Sequence, residues 1–129
     1  MNQNKNRVVL IVDDCEDNLY ILNTLIHSDD PDTEVLEAES GEEALEIYKE
    51  RQRDIDSMIV DFNMPGLNGR ETICKMCESR SKHSKKDIII SIFSASCDVQ
   101  DKKPFCLCDV NVVEKPISKE KLKLMLYGS

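Results

Sequence analysis

Two unbroken apolar runs, Val8 to Val12 and Met58 to Val60, lead directly into aspartate, the first into Asp13-Asp14 and the second into Asp61. A strand with one face in water alternates apolar and polar residues. An all-apolar run of strand length instead needs cover on both faces, as in the middle of a parallel sheet. Pro65, Gly66 and Gly69 follow Asp61 closely, so its carboxylate falls where a buried strand breaks into a loop. In open parallel sheets the crevice outside such strand ends is where ligands bind.

The rest of the chain alternates in the same way. From Asp17 the spacing becomes helical, with Leu19, Leu22, Leu25 and Ile26 on one stripe and Asp29-Asp30-Pro31-Asp32 closing the segment. Thr33 to Ala38 reads as a short strand, and Ser40-Gly41-Glu42-Glu43 opens a helix whose apolar face is Ala44, Leu45, Ile47 and Tyr48. Arg70 to Cys77 is expected to be helical with Ile73, Cys74 and Cys77 inward, Ser79 to Lys86 a polar connector, and Ile88 to Phe93 a fourth strand ending at Ser94-Ala95. Between Ser96 and Asp109, Pro104 and the lack of an apolar stripe leave room for at most a short helix from about Asp98 to Lys103. Val110 to Val113 is a fifth strand leading to Glu114-Lys115-Pro116. Ser118 to Tyr127 closes the chain as an amphipathic helix carrying Leu122, Leu124, Met125 and Leu126. Strand alternating with helix five times predicts a doubly wound α/β sandwich.

At 129 residues the chain is the size of one domain with its own core. The polar stretch Met1 to Arg7 has no apolar signal core, and no run approaches the ~20 residues of a membrane span, so an intracellular, cytoplasmic setting without membrane contact is expected. A formal net charge of -8 argues against a direct nucleic-acid partner, because phosphate backbones are bound by clustered Lys and Arg. The six cysteines, Cys15, Cys74, Cys77, Cys97, Cys106 and Cys108, are expected to be reduced thiols in that setting. A zinc site from Cys74-x-x-Cys77 with Cys106-x-Cys108, and His83, is set against buried apolar packing of Cys74 and Cys77 at i, i+3 on a helix, and the packing is preferred. His27 and His83 read as solvated, and Tyr48 as core.

In a parallel sheet the ends of the first, third, fourth and fifth strands meet in one crevice, which brings together Asp13, Asp14, Asp61, Ser94 and Lys115. Three adjacent carboxylates repel one another and need a cation, and a set of oxygen ligands suits Mg²⁺. Metal, lysine and hydroxyl together suit an incoming phosphoryl group, with one carboxylate as nucleophile.

In these residues the chain resembles the receiver domain of two-component response regulators, from about Val8 to Leu126. The resemblance rests on Val12-Asp13-Asp14 with Asn18, Gly41 with Ala44-Leu45, Asp61-x-x-Met64-Pro65-x-x-x-Gly69, Ser94-Ala95 and Lys115-Pro116. It implies one receiver domain over residues 1–129, with 1–7 as a polar extension, in a flavodoxin-like five-stranded parallel sheet of order 2-1-3-4-5. It also implies Asp61 as phosphoacceptor, taking its phosphoryl group from a histidine kinase or histidine phosphotransfer protein. Asp13, Asp14, Asp61 and the Asn63 carbonyl would hold Mg²⁺, with Asp13 acting mainly through bound water. Lys115, Ser94 and the Ala95 backbone N–H would contact the phosphoryl oxygens, and Asn63 and Ser96 stand where the family tunes hydrolysis.

The sequence departs from the family at Val112, where an aromatic switch residue is usual; a β-branched side chain has one strongly preferred rotamer and cannot take over that motion. With the atypical or shortened fourth helix, this suggests a remodelled output face, so the chain mainly passes phosphate on or meets an unusual partner. The domain stands alone or belongs to a hybrid histidine kinase. Two alternatives are a pseudo-receiver that binds without phosphorylation and an aspartyl-phosphate phosphohydrolase. The latter typically needs an acid two residues after the nucleophile, where this chain has Asn63.

Overall fold

The computed structural model describes residues 6–62, 64–79, 88–94 and 110–128. Among them β1 (Val8–Val12), α1 (Glu16–Asp29), β2 (Glu34–Ala38), α2 (Gly41–Arg51), β3 (Ser57–Asp61), α3 (Gly69–Ser79), β4 (Ile89–Ser94), β5 (Val110–Glu114) and α4 (Lys119–Tyr127) follow in order. The strands form one sheet in the order β2-β1-β3-β4-β5, and every pairing is parallel. This is the expected flavodoxin-like order. The expected short helix near Asp98 to Lys103, and with it the atypical fourth helix, lies outside the described residues.

The apolar run of β1 is explained by cover on both faces. Val8, Leu10 and Val12 join Met58, Val60, Ile90 and Ile92 beneath Ala44, Tyr48, Ile73 and Met76 of α2 and α3. Val9 and Ile11, with Ile59, Phe93 and Val113, pack on the other side against Leu19, Leu22 and Ile26 of α1 and Leu122, Met125 and Leu126 of α4. Each fully buried side chain of this size contributes roughly 1.5–3 kcal/mol of transfer free energy. Helix starts are fixed locally: Ser40 accepts a hydrogen bond from the Glu43 N–H, and Ser118 one from the Lys121 N–H. Asn68 and Glu71 form a reciprocal capping box on α3, each side chain accepting from the other's backbone N–H at 2.8 and 3.2 Å.

Three local expectations are corrected. On α3 the buried positions are Gly69, Thr72, Ile73 and Met76; Cys77 is half-buried and packs against the core as expected, whereas Cys74 is half-buried outside that cluster, because the helix is rotated so that Met76 faces the sheet. Both cysteines are disulfide-bonded rather than reduced thiols. His27 is not simply solvated, since its Nε2 lies 2.9 Å from the Thr33 carbonyl and ties α1 to the start of β2. At the opposite pole Arg7 donates to the Leu126 carbonyl at 2.8 Å and stacks over the Tyr127 ring, so the last residue of the polar extension fastens α4.

Winding reverses between β1 and β3. The connection through α1 leads outward to β2, and the one through α2 returns across β1 to β3. The carboxyl ends of β1 and β3 therefore lie at the switch point of the sheet, where a crevice opens between diverging loops.

Candidate functional site

Asp13 and Asp14 follow β1, and Asp61 is the last residue of β3. One carboxylate oxygen from each lies within 4.8 Å of the others, a grouping that no local motif produces and that arises from the β1–β3 pairing. Asp13 is 2% exposed and Asp61 is buried, whereas Asp14 is open to solvent. Asp13 is held in place: Oδ1 accepts from the Cys15 N–H at 2.9 Å and Oδ2 from Asn18 Nδ2 at 3.1 Å. Asn18 belongs to the motif quoted above, and its role here is to orient a neighbouring carboxylate.

Lys115 arrives from the end of β5, with Nζ 3.5 Å from Asp61 Oδ1 and 4.0 Å from Asp13 Oδ2. Its N–H donates to the Ser94 carbonyl at 2.7 Å, which joins the ends of β4 and β5. The ammonium also lies 5.4 Å from the centroid of the Phe93 ring, a cation–π contact the sequence reading missed; the only sequence signal is an aromatic residue next to the strand-end Ser94. Ser94 is 1% exposed at the end of β4, in the strand that pairs with β3. The Lys115–Pro116 peptide bond is cis. Asn63, Ala95 and Ser96 lie outside the described residues, while Val112 is described and is 49% exposed on β5.

The site's electrostatics are those of a centre built for positive charge. Burial, followed by repulsion from Asp13, raises the Asp61 pKa, with a smaller push from Asp14, against the opposing pull of Lys115. A single lysine does not offset three carboxylates. The donor set, all oxygen and two-thirds buried, fits Mg²⁺.

A pH dependence follows. An aspartate whose pKa is raised on folding holds its proton more tightly in the folded state, so the stability it confers is present below its unfolded value and is lost as pH rises through the folded one. In metal-free buffer, Asp61→Asn is expected to melt above the wild type at neutral pH, with the gap closing as pH falls toward the ordinary carboxylate range. Thermal melts of both proteins in chelator across that range check this, and a wild type more stable at neutral pH contradicts it.

Comparisons with known proteins agree with the geometry. The model of the response regulator receiver domain matches residues 9–127. Protein-glutamate methylesterase/protein-glutamine glutaminase 1 of Syntrophomonas wolfei is 34% identical over 108 residues, which is 84% of this chain and 29% of that protein. The chain spans less than a third of the length of the curated relatives it matches. Among solved structures, the response regulator TrrA of Thermotoga maritima in complex with Mg²⁺-BeF matches with a TM-score of 0.72 and 29% identity, covering 93% of this chain and 99% of that one. The co-crystal structure of the Saccharomyces cerevisiae phosphotransfer protein Ypd1 with the receiver domain of Ssk1 matches at 0.74 and 25% identity, covering 95% of this chain and 87% of the matched chain. Carboxylates from two central strand ends, a lysine from a third and a family match over nearly the whole length agree: this chain belongs to the response regulator receiver domains.

Proposed function

We propose that the chain is a phosphoacceptor in a two-component phosphorelay and takes a phosphoryl group onto Asp61 from the phosphohistidine of a histidine kinase or histidine phosphotransfer protein. The observation that carries this reading is the packing of three carboxylates with their oxygens within 4.8 Å of one another, beside a lysine 3.5 Å from one of them. The reading takes residues 1–129 as one receiver domain of a cytoplasmic signalling protein, either alone or as part of a longer one. The structure of the related TrrA with Mg²⁺-BeF and that of the Ypd1–Ssk1 complex support the metal and the kind of donor.

In this mechanism an Asp61 oxygen attacks phosphorus as the bond from phosphorus to the donor histidine nitrogen breaks, and the nitrogen leaves with its electron pair. Asp13, Asp14 and Asp61, with the Asn63 carbonyl, would hold Mg²⁺. When bound, the metal supplies charge neutralisation for the phosphoryl oxygens. Lys115 pairs with Asp61 before reaction and follows the negative charge to the phosphoryl oxygens as it develops. The Phe93 ring and the backbone link to Ser94 keep the lysine stem over the crevice, and the Ser94 hydroxyl and Ala95 N–H donate to the same oxygens. Asn63 and Ser96 tune attack by water. Val112, exposed and β-branched, takes no part in an aromatic switch.

Incubation with acetyl phosphate tests the proposal without a protein donor. The expected result is a mass increase of one phosphoryl group that requires Mg²⁺ and is blocked by chelator. A protein that stays unmodified with Mg²⁺ present overturns the reading.

A further inference from the structure

The segment that delivers Lys115 is neither strand nor helix: β5 ends at Glu114 and α4 begins at Lys119. Pro116 has no N–H with which to extend the β5 ladder, so the backbone around Lys115 has to be held by other donors. One is the Lys115 N–H itself, bonded to the Ser94 carbonyl at 2.7 Å. The other is a second lysine. Lys121 Nζ donates to the Glu114 carbonyl at 2.8 Å and to the Pro116 carbonyl at 3.1 Å. A single ammonium thus bridges the peptide group that enters Lys115 and the one that leaves Pro116, and the proline ring between them already fixes one backbone torsion.

Lys121 has the footing of a strut. Its backbone N–H donates to Ser118 Oγ at 3.2 Å and the Leu122 N–H to the Ser118 carbonyl at 2.8 Å, so the side chain rises from a capped first turn of α4. Leu122, with Met125 and Leu126 further along, seats that turn in the core. A surface lysine usually leaves its ammonium in water or beside a carboxylate. This one is half-buried and, among the described residues, pairs with no carboxylate; its ammonium bonds the two carbonyls instead. Hydrogen bonds from a charged donor are roughly twice as strong as neutral ones. The clamp matters because of leverage. The Lys115 ammonium stands 3.5 Å from Asp61 Oδ1 and 4.0 Å from Asp13 Oδ2, at the end of a long flexible stem. On a loose backbone few of the positions open to that stem meet both carboxylates, whereas a fixed backbone leaves only the side-chain torsions to settle.

We propose that Lys121 is a positioning residue of the site: by holding the Glu114 and Pro116 carbonyls it fixes the backbone from which Lys115 reaches Asp61, and so sets the rate of phosphoryl uptake. The kinetic part rests on the phosphoacceptor reading above. No bond forms or breaks at Lys121 during transfer, and its charge stays with the two carbonyls. The same clamp makes the first turn of α4 and the Lys115 segment one rigid unit, although Lys121 lies outside the motif that marks the site in sequence.

The test uses the full chain as wild type, Lys121→Met, Lys121→Arg, Lys115→Met and the double variant Lys115→Met/Lys121→Met. Methionine keeps an unbranched apolar stem and removes the ammonium, while arginine restores charged donors. Amide hydrogen exchange read by NMR reports on the Lys115 N–H, and intact mass over time reports uptake from acetyl phosphate at saturating Mg²⁺. Lys121→Met is expected to speed exchange at Lys115 by about tenfold while leaving the core residue Leu10 unchanged. Uptake is expected to slow by about fivefold at a temperature where the variant is fully folded. Lys121→Arg is expected to recover most of both. In the Lys115→Met background, Lys121→Met is expected to leave the residual rate where it was, because the strut acts through a lysine that is no longer there. Unchanged exchange at Lys115 in Lys121→Met, an unchanged rate, or a further loss of the same size in the double variant each overturns the proposal. Should Lys115→Met take up too little phosphate to compare, the arginine variant decides, and one as impaired as methionine overturns it. A wild type that takes up no phosphate overturns the phosphoacceptor reading and the kinetic part with it. Unaltered exchange at Lys115 in a protein that does take up phosphate overturns the positioning role alone.

Discussion

Asp61→Asn is expected to abolish phosphoryl uptake from acetyl phosphate while leaving the protein folded. The amide keeps the size of the side chain but is not a nucleophile, so the bond to phosphorus cannot form by the same route. The neighbours cannot easily substitute. Both oxygens of Asp13 already accept hydrogen bonds, from the Cys15 N–H and from Asn18, and Asp14 is exposed at the rim of the crevice. Of the three carboxylates, Asp61 lies closest to the lysine ammonium. Intact mass after incubation with Mg²⁺ decides the matter. A phosphoryl group retained by the variant would move the acceptor to Asp13 or Asp14 and sink the assignment, while loss of modification with an unchanged circular dichroism spectrum supports it.

The parts of this molecule that depend on pattern were legible in the chain, and the parts that depend on where segments meet were less so. Val8 to Val12 announced a strand covered on both faces because no alternation was present, and the structure puts Leu10 and Ile11 in separate cores on opposite sides. Asp13, Asp14, Asp61 and Lys115 could be brought together on paper because a parallel sheet has only one edge at which strand ends gather. The sequence reading of α3 was less successful. Periodicity gave the helix but not its rotation, and Cys74 was assigned inward where Thr72 and Met76 are buried, since a short helix with cysteine, methionine and threonine around it has no sharp apolar stripe. Nor does any local signal tell a thiol from a half-cystine: that depends on which distant sulfur a fold brings near, and compartment-based expectation favoured the wrong state. The Phe93 ring beneath Lys115 and the bond from His27 to the Thr33 carbonyl were invisible for the same reason. The departure at Val112 was plain in sequence, and the residue is 49% exposed on β5.

Gly69→Ala is expected to damage stability and chemistry together. Alanine is ordinarily favoured over glycine in a helix by up to about 1 kcal/mol, and at the first helical position the gain is smaller still. Against this stands a methyl group 2.5 Å from the Asp61 carbonyl oxygen and 3.0 Å from the Phe62 Cα. Both obstacles are backbone, so no flexible side chain can swing aside, and overpacking of this kind costs roughly 1–3 kcal/mol. The clash therefore wins, and relief comes only by moving α3 away from the Asp61 loop or the loop away from α3. Either movement shifts a nucleophile that must meet phosphorus, metal and lysine at once, and a displacement of about 1 Å at a reacting centre can cost on the order of 10²-fold in rate. Urea unfolding is expected to show the loss of stability, and acetyl phosphate uptake at a temperature where the variant remains folded is expected to fall by about tenfold or more. Because the residue carries no side chain of its own, a large effect here cannot come from lost chemistry; it isolates the contact by which α3 holds Asp61 in place. A variant with wild-type stability and rate would mean that the loop is positioned from elsewhere.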